Sequence, residues 1–299
     1  MKIIVAGGSG LVGRRLVSGL VAAGHETVVL SRRKALELPQ GRAVRWDGRS
    51  AGDWAGELVE ADAIVNLAGA SVGSRRWTAK RKRLILSSRV DSTAALVDAL
   101  AATPAGRRPR VLVNASGIDH AGPRGDEPVA EDVSPGGSFL ASVCVAWEEK
   151  AYRAAPLGVR VVLVRTPFVV AREAQALRLL TLPFRLFLGG PLGDGRQWFP
   201  WIHVDDLVGV YRRAVEDERL VGPVNAVTPD LRRQGEVARE FARVLHRPAA
   251  FVAPATLLRL VMGEQADLLL HGQRAISRRL DGFEFRYPKL SGALEEALR

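Results

Sequence analysis

The chain has 299 residues, a hydrophobic fraction of 47% and a formal net charge of +11, an ordinary globular composition with an excess of arginine. Its one cysteine, Cys144, excludes an internal disulfide and a cysteine-built metal site, which fits a cytoplasmic protein. We expect no signal peptide, no membrane span and no nucleic-acid partner, because the apolar runs are short and the basic residues are dispersed.

The first thirty-three residues predict a βαβ unit that contains a glycine-rich turn. An apolar strand at residues 2–6 is followed at once by Gly7, Gly10 and Gly13, then by a helix and by a second strand at residues 25–30. In this setting the glycines permit a tight turn, a close approach to a pyrophosphate and close packing of helix on sheet. Amide groups at the start of the helix attract phosphate. The predicted dinucleotide-binding residues of this turn are Gly7, Ser9, Gly10, Leu11, Val12 and Gly13.

The end of the second strand indicates which dinucleotide binds. Ser31, Arg32 and Arg33 stand there, with no acidic residue. An acid at this point binds the ribose 2′-hydroxyl of NAD, whereas an arginine accommodates the 2′-phosphate of NADP. The sequence therefore favours NADP(H) as the cofactor, because a guanidinium offers phosphate several donors. The alternative is that both arginines are solvated residues of an arginine-rich protein.

Strands and helices then alternate, which predicts parallel strands joined by right-handed crossovers. Strands are predicted at residues 42–47, 61–70, 110–116, 158–166 and 222–227, and helices at residues 78–102, 138–154, 234–245 and 255–262. The expected fold is a Rossmann-type, doubly wound parallel α/β sheet. We assign residues 1–166 to an NADP-binding domain, and residues 167–299 to a smaller mixed α/β substrate-binding region interleaved with the sheet.

Two polar groups in the second region are candidate site residues. Arg196 and Gln197 follow a glycine-rich turn and are candidate contacts to an anionic substrate, with a solvated loop as the alternative. For His203, we expect a satisfied residue at a strand end, with Asp205 or Asp206 capping the next helix. No His, Cys, Asp or Glu set has convincing metal-ligand spacing, so no metal is expected.

Motifs in order along almost the whole chain carry a resemblance to a known family. They lie at residues 7–13, 66–69, 75–77, 88–89, 134–137, 147–148, 189–191, 201–206 and 272–274. The chain resembles atypical extended short-chain dehydrogenases/reductases of the NAD-dependent epimerase/dehydratase group, in particular the nucleoside-diphosphate-sugar epimerase-like subgroup. The resemblance implies an NADP(H)-dependent oxidoreductase or epimerase acting on a small polar carbonyl or hydroxyl substrate. The further cofactor contacts that it implies are Leu67, Ala68, Gly69, Arg89 and Val169.

The wider superfamily uses a Tyr-x-x-x-Lys pair on one helix face, and this chain lacks it. The chain has three tyrosines, Tyr152, Tyr211 and Tyr287, and none of them has a lysine four residues later. When the chain is aligned on Trp147, the positions of the pair hold Leu140 and Cys144. The missing pair removes the usual mechanism. It does not argue against the resemblance, because the narrower subgroup is similar in lacking the pair.

Residues 114–120 follow the fifth strand and supply the candidate catalytic groups. Ser116 stands where the superfamily keeps a serine, and its hydroxyl suits a substrate carbonyl or hydroxyl. His120 has an ordinary pKa of about 6.5 and can transfer a proton, with Asp119 orienting the ring. The alternative is that Ser116 caps the strand and His120 is a solvated loop residue. The missing pair also favours a second function, a non-catalytic NADP(H)-binding sensor or partner-binding module.

Overall fold

A computed structural model describes residues 1–33 and 41–299. The strands of this part of the chain are β1 (Lys2–Ala6), β2 (Glu26–Ser31), β3 (Arg42–Arg45), β4 (Ala63–Asn66), β5 (Val111–Gly117), β6 (Pro128–Val129), β7 (Arg160–Thr166), β8 (Phe168–Val170), β9 (Trp201–His203), β10 (Gly222–Asn225) and β11 (Arg274–Ala275). The α-helices are α1 (Leu11–Ala22), α2 (Ala79–Ala102), α3 (Phe139–Tyr152), α4 (Gln175–Arg185), α5 (Val204–Glu216), α6 (Gln234–Leu245), α7 (Ala255–Met262), α8 (Asp267–Leu270) and α9 (Leu290–Leu298).

A seven-stranded parallel sheet with the order β10-β7-β5-β4-β1-β2-β3 forms the centre of the fold. Apolar residues fill both faces of its inner strands, because helices cover the sheet on both sides. Ile3 and Val5 of β1 pack with α1 and α5, whereas Ile4 and Ala6 pack with α2. The predicted Rossmann-type parallel sheet is confirmed.

The strand order reverses between β1 and β4, and this point determines where a ligand binds. In open parallel sheets the crevice lies outside the carboxyl ends of the strands at such a reversal. The glycine turn after β1 and the residues after β4 and β5 therefore border one cleft. One edge strand of the sheet, β10, belongs to the part of the chain after residue 167. The assignment of residues 1–166 and 167–299 to separate regions stays a prediction.

The later part of the chain builds a third buried cluster beside the sheet. Helices α4, α6 and α9 pack there around Phe184, Phe241 and Leu294. Two short parallel pairs, β8 with β9 and β6 with β11, connect this part to the main sheet. Within residues 1–33 and 41–299, no helix combines the length and apolarity that a bilayer-spanning segment requires.

The start of α5 differs from the prediction. The Nδ1 atom of His203 accepts a hydrogen bond from the amide of Asp205 at 3.2 Å, so the histidine caps the helix. The carboxylate of Asp206 instead accepts from the amides of Arg286 and Tyr287, which pins the carboxyl-terminal segment to α5. The prediction of an aspartate cap is wrong, since the histidine reaches the free amide from the preceding strand. His203 is satisfied, as predicted, by Glu296 at 3.1 Å.

Candidate cofactor and active site

The glycine turn leaves space that a side chain would fill. Gly7 has a φ of +79°, and a Cβ atom added there would lie 2.8 Å from the backbone of Leu67. A Cβ atom added at Gly13 would lie 2.6 Å from the Cα atom of Gly8, so α1 can start against β1 only with glycine at this position. Gly10 caps α1 with no described side chain bonded to the first turn. Amides of Leu11, Val12 and Gly13 thus stay available to a pyrophosphate, and the cradle fits a dinucleotide.

The end of β2 lies beside this turn and presents two cations. Arg32 and Arg33 are exposed, and neither pairs with a carboxylate among residues 1–33 and 41–299. Ser31 is buried, and its hydroxyl oxygen accepts a hydrogen bond from the amide of Arg33 at 3.1 Å. The serine therefore fixes the backbone of the arginine pair, while the guanidinium groups have no carboxylate partner among the described residues.

The segment after β4 forms the next wall of the cleft. The Ala68 amide donates to Asn66 Oδ1 at 3.1 Å, and the Asn66 side chain is bonded to Thr93 and Asn114. This buried network fixes the backbone of Leu67 and Ala68 against the glycine turn. Sequence reasoning found the motif but not the asparagine pair behind it.

Arg89 of α2 lies under the same segment. Its guanidinium donates to the carbonyl of Ala70 at 3.0 Å and stacks over the ring of Trp147, with 4.9 Å to the ring centroid. A Cβ atom added at Gly69 would lie 3.1 Å from Arg89 Cζ. Burial lowers the pKa of Arg89 from its ordinary value, and the group is still a cation near neutral pH.

Val169 of β8 pairs with Ile202 of β9. Together with Val12 and Leu67 it is partly buried against the core cluster of β1, α1 and α5. These predicted cofactor residues come from three separate stretches of the chain and contact the same buried cluster. Their apolar atoms are suited to the uncharged part of a cofactor.

The candidate catalytic serine is part of a buried ionic network. Ser116 Oγ donates to Glu148 Oε1 at 2.6 Å, and Arg165 donates to both oxygens of Glu148 at 2.9 Å. His120 Nε2 lies 3.6 Å from Glu148 Oε2. Because the hydroxyl hydrogen of Ser116 is used by Glu148, this serine has only acceptor capacity left for a substrate.

His120 is buried, with 7% of its surface exposed, so it is not a solvated loop residue. Burial lowers the pKa of the ring, against an opposing effect of Glu148. No hydrogen bond within the described residues joins Asp119 to His120, so Asp119 does not orient the ring. The catalytic roles of Ser116 and His120 stay predictions.

Leu140 and Cys144 occupy buried positions on the α3 face next to this network. The Cys144 thiol donates weakly to the carbonyl of Gly117 at 3.6 Å. Burial, followed by the Asp119 and Glu148 carboxylates, raises the pKa of Cys144 to about 12. The cysteine is therefore a protonated packing residue, as expected for a buried thiol.

The predicted substrate residues have unequal settings. The Gln197 side chain donates to the carbonyls of Leu192 and Leu269 at 3.0 and 2.7 Å, so its amide connects two loops. Arg196 is exposed, and its carbonyl accepts a hydrogen bond from Arg233. The Arg196 guanidinium thus has no hydrogen-bond partner among the described residues, whereas the donor end of Gln197 is used within the protein.

A neighbouring cluster joins Trp198 to two further arginines that sequence reasoning missed. Arg233 stacks on the Trp198 ring at 4.3 Å, and Arg274 lies 5.6 Å from its centroid. Asp126 accepts from Trp198 Nε1 at 2.8 Å and from Arg233 Nη2 at 2.6 Å. With Arg196, the cluster carries more positive than negative charge, which suits an anionic group. Only the Gly-Gln-Arg motif at residues 272–274 pointed to this area.

The segment after α7 contacts the loop that follows β4. Glu264 pairs with Lys82, and the Gln265 side chain donates to the carbonyl of Val72 at 3.3 Å. The carboxyl-terminal part of the chain therefore reaches residues on the β4 side of the cleft. Within residues 1–33 and 41–299, no three His, Cys, Asp or Glu side chains cluster as metal ligands.

Comparison with known proteins identifies relatives along the full chain. The NAD dependent epimerase/dehydratase family matches residues 3–226, and a domain of unknown function (DUF1731) matches residues 253–297. Epimerase family protein SDR39U1 of Homo sapiens is 35% identical over 303 residues, covering 99% of each chain. Epimerase family protein SH2119 of Staphylococcus haemolyticus is also 35% identical, over 301 residues, and covers 99% of each chain.

Solved structures give the same assignment. Human epimerase family protein SDR39U1 (isoform 2), crystallised with NADPH, superimposes with a TM-score of 0.88 at 34% identity, covering 100% of both chains. A nucleoside-diphosphate sugar epimerase from Corynebacterium glutamicum matches with a TM-score of 0.80 at 30% identity, over 99% of this chain and 58% of that one. As its motifs predicted, the chain belongs to the NAD-dependent epimerase/dehydratase family.

Proposed function

We propose that the protein binds NADP(H) and catalyses oxidoreduction or epimerisation of a small polar carbonyl or hydroxyl substrate. The observation that carries the proposal is the arginine pair Arg32 and Arg33, which lies beside the glycine turn with no acidic partner among the described residues. The human relative that was crystallised with NADPH supports the same cofactor.

Each part of the cleft has a task in this function. The amides of Leu11, Val12 and Gly13 hold the pyrophosphate, and Arg32 and Arg33 hold the 2′-phosphate. Hydride transfer is the chemistry that the cofactor supplies when bound, and the protein contributes binding, orientation and exclusion of water. The further residues that would contact the cofactor are Leu67, Ala68, Gly69, Arg89 and Val169.

The substrate lies against the ends of β5 and β7. Ser116 accepts a hydrogen bond from a substrate hydroxyl, and Glu148 holds the serine in place. His120, or water near it, supplies the proton in the interpretation drawn from the sequence. Arg196, with the Trp198 cluster, binds an anionic group of the substrate, and Gln197 shapes the loop that presents it.

Calorimetry with the two nicotinamide cofactors tests the cofactor assignment. The wild type should prefer NADPH over NADH, and replacing Arg32 and Arg33 together by alanine should weaken NADPH binding about 10- to 100-fold, because two charge-assisted contacts are lost. NADH binding should hardly change. Arg107→Ala is the matched control, since Arg107 is exposed and precedes the amino end of β5, whereas the cleft lies at the carboxyl ends of the strands. Stronger binding of NADH by the wild type would overturn the assignment.

Turnover separates the enzyme from a sensor. The second candidate, a non-catalytic NADP(H)-binding module, is favoured by one observation: Leu140 and Cys144 stand buried where the usual catalytic pair is expected. NADPH oxidation should be followed at its absorbance maximum with small aldehydes, ketones and nucleotide sugars. Oxidation of NADPH with formation of the alcohol supports the enzyme, whereas tight binding without any turnover supports the sensor.

A further inference from the structure

Carbonyl reduction needs a proton at the substrate oxygen, and the usual tyrosine is absent from this cleft. The tyrosines lie elsewhere: Tyr152 beside Gly222, Tyr211 in the core and Tyr287 against His203. Cys144 is also unsuitable, because its pKa of about 12 keeps the proton on sulfur. The donor must therefore come from another group near the end of β5.

Two of the remaining groups are already engaged with Glu148. The only hydrogen of the Ser116 hydroxyl is donated to its carboxylate at 2.6 Å. His120 directs Nε2 at the same carboxylate from 3.6 Å, and burial lowers the pKa of the ring. His120 is therefore mainly neutral near pH 7. With the Nε2 hydrogen directed at Glu148, the Nδ1 atom of the neutral ring is an acceptor, and it is buried without a hydrogen-bond partner among the described residues.

Asp119 has a different setting within the same turn. The neighbouring side chains of Ile118, His120 and Ala121 are buried, whereas Asp119 keeps part of its surface open. Its Oδ2 atom lies 3.7 Å from the position that a Cβ atom on Gly117 would take, and Cys144 Sγ lies 3.1 Å from that position. The carboxyl group is thus beside the thiol that aligns with the usual lysine.

The Asp119 carboxyl also has no partner among residues 1–33 and 41–299 other than its own amide. Burial alone raises its pKa to about 6, so both of its protonation states are accessible near neutral pH. Its ionisable neighbour Cys144 on α3 also interacts with Glu148 and Arg89, and the adjacent His120 interacts with Glu148 and Arg165. Asp119 is thus a partly exposed residue at the end of β5 whose carboxyl group has no side-chain partner among the described residues, and it is placed to exchange a proton with a substrate.

We propose that Asp119 is the proton donor and acceptor of this cleft, in place of the absent tyrosine. The role rests on the proposed NADP(H)-dependent function. In the reducing direction, the Asp119 carboxylic acid gives its proton to the carbonyl oxygen while the carbonyl carbon receives the hydride. The products are an alcohol, the oxidised cofactor and an Asp119 carboxylate, which regains a proton from water. In the oxidising direction, the carboxylate accepts the hydroxyl proton.

Asp119→Asn tests the role, with Asp98→Asn as the matched control on the exposed face of α2. Glyceraldehyde and diacetyl serve as carbonyl probes. Asp119→Asn should lower kcat by about 100-fold or more, since general acid catalysis contributes about that factor, and should leave the Kd for NADPH unchanged. Asp119→Glu should recover part of the rate, and Asp98→Asn should behave as the wild type.

A second readout does not depend on turnover. NMR of protein labelled with ¹³C at the aspartate carboxyls should show one resonance that titrates near pH 6 in the wild type and is missing in Asp119→Asn. Saturating NADP⁺ should lower this titration midpoint, because the positive nicotinamide ring favours the carboxylate. NADPH should not do so.

The outcomes are distinguishable. If Asp119→Asn keeps kcat within about threefold of the wild type, where a general acid would cost about 100-fold, the role is overturned and the NADP(H)-dependent function stands. The same holds if NADP⁺ leaves the resonance unchanged. If none of the carbonyl compounds supports NADPH oxidation by the wild type, the proposed function and the role of Asp119 fail together.

Discussion

The Oγ atom of Ser116 lies 2.6 Å from Oε1 of Glu148, beneath the carboxyl end of β5. Arg165 of β7 donates two hydrogen bonds to the same carboxylate. One buried charge pair therefore joins β5, β7 and α3 at the place where the substrate is expected. This arrangement makes the serine part of the scaffold as well as of the cleft.

Glu148→Ala should destabilise the protein strongly. The change leaves the buried guanidinium of Arg165 without its carboxylate, and such losses cost about 3–5 kcal/mol in the free energy of unfolding. Urea denaturation followed by circular dichroism measures the effect. Glu149→Ala is the matched control, because the next side chain along α3 is exposed and should change stability by less than about 0.5 kcal/mol. Similar values for the two variants would contradict the assigned role of the buried pair.

Gly13→Ala should abolish tight NADPH binding. The new methyl group would lie 2.6 Å from Gly8 Cα, so the start of α1 must move away from the glycine turn. Gly19→Ala in the same helix adds a methyl group that lies 3.4 Å from a Val208 side-chain carbon, and stability should stay within about 1 kcal/mol of the wild type. Fluorescence titration with NADPH measures both variants. Equal affinity in Gly13→Ala and the wild type would contradict the close packing.

Asp119→Asn should make the protein more stable near pH 8. The folded-state pKa of Asp119 is about 6, above its ordinary value of 3.8, so the wild type loses stability as the pH rises through about 6. The asparagine variant has no charge to bury and should gain on the order of 1–3 kcal/mol at alkaline pH. The gain should vanish below the ordinary pKa of 3.8, where the Asp119 carboxyl is protonated in the folded and the unfolded state. Denaturation curves at several pH values check this, and a gain independent of pH would contradict it.

Cys144 should resist alkylation in the folded protein. Burial and the nearby carboxylates raise its pKa to about 12, so little thiolate is present near pH 8. Iodoacetamide labelling should be much faster in urea than in buffer, and Asp119→Asn should accelerate labelling of the folded state by removing a negative charge. Because the chain has one cysteine, mass spectrometry reports this site alone. Fast labelling of the folded wild type would contradict the buried, protonated thiol.

Local patterns were sufficient for most of the fold. Helices α6 and α7 have the predicted bounds, since Arg233 and His246 flank α6, and Pro254 and Gly263 flank α7. Helix α4 was not predicted, because Arg178, Pro183 and Arg185 interrupt its apolar sequence. In the structure Pro183 lies near the carboxyl end of the helix, and Leu177, Thr181 and Phe184 face the core.

The cofactor turn could be read from spacing alone, whereas the catalytic groups could not. The residues from Gly7 to Gly13 form the cofactor turn with their neighbours in sequence, so a short motif is sufficient to predict it. The pairing of Glu148 with Arg165, and the open position of Asp119, depend on how α3 packs against β5 and β7. One signal was present in retrospect: Arg165 ends a run of apolar strand residues, where a buried arginine requires an acidic partner.

The carbonyl of Ile118 is held by the Gln273 side chain at 2.6 Å, across 155 positions of the sequence. During synthesis on the ribosome, every strand of the large sheet has emerged well before the chain is complete, since the last of them ends at Asn225. The nucleotide compartment can then assemble co-translationally, while the turn that carries Asp119 still lacks its bond to Gln273. The polypeptide that follows Asn225 supplies this bond later, so a chain released early would hold its coenzyme with a less firmly fixed acid.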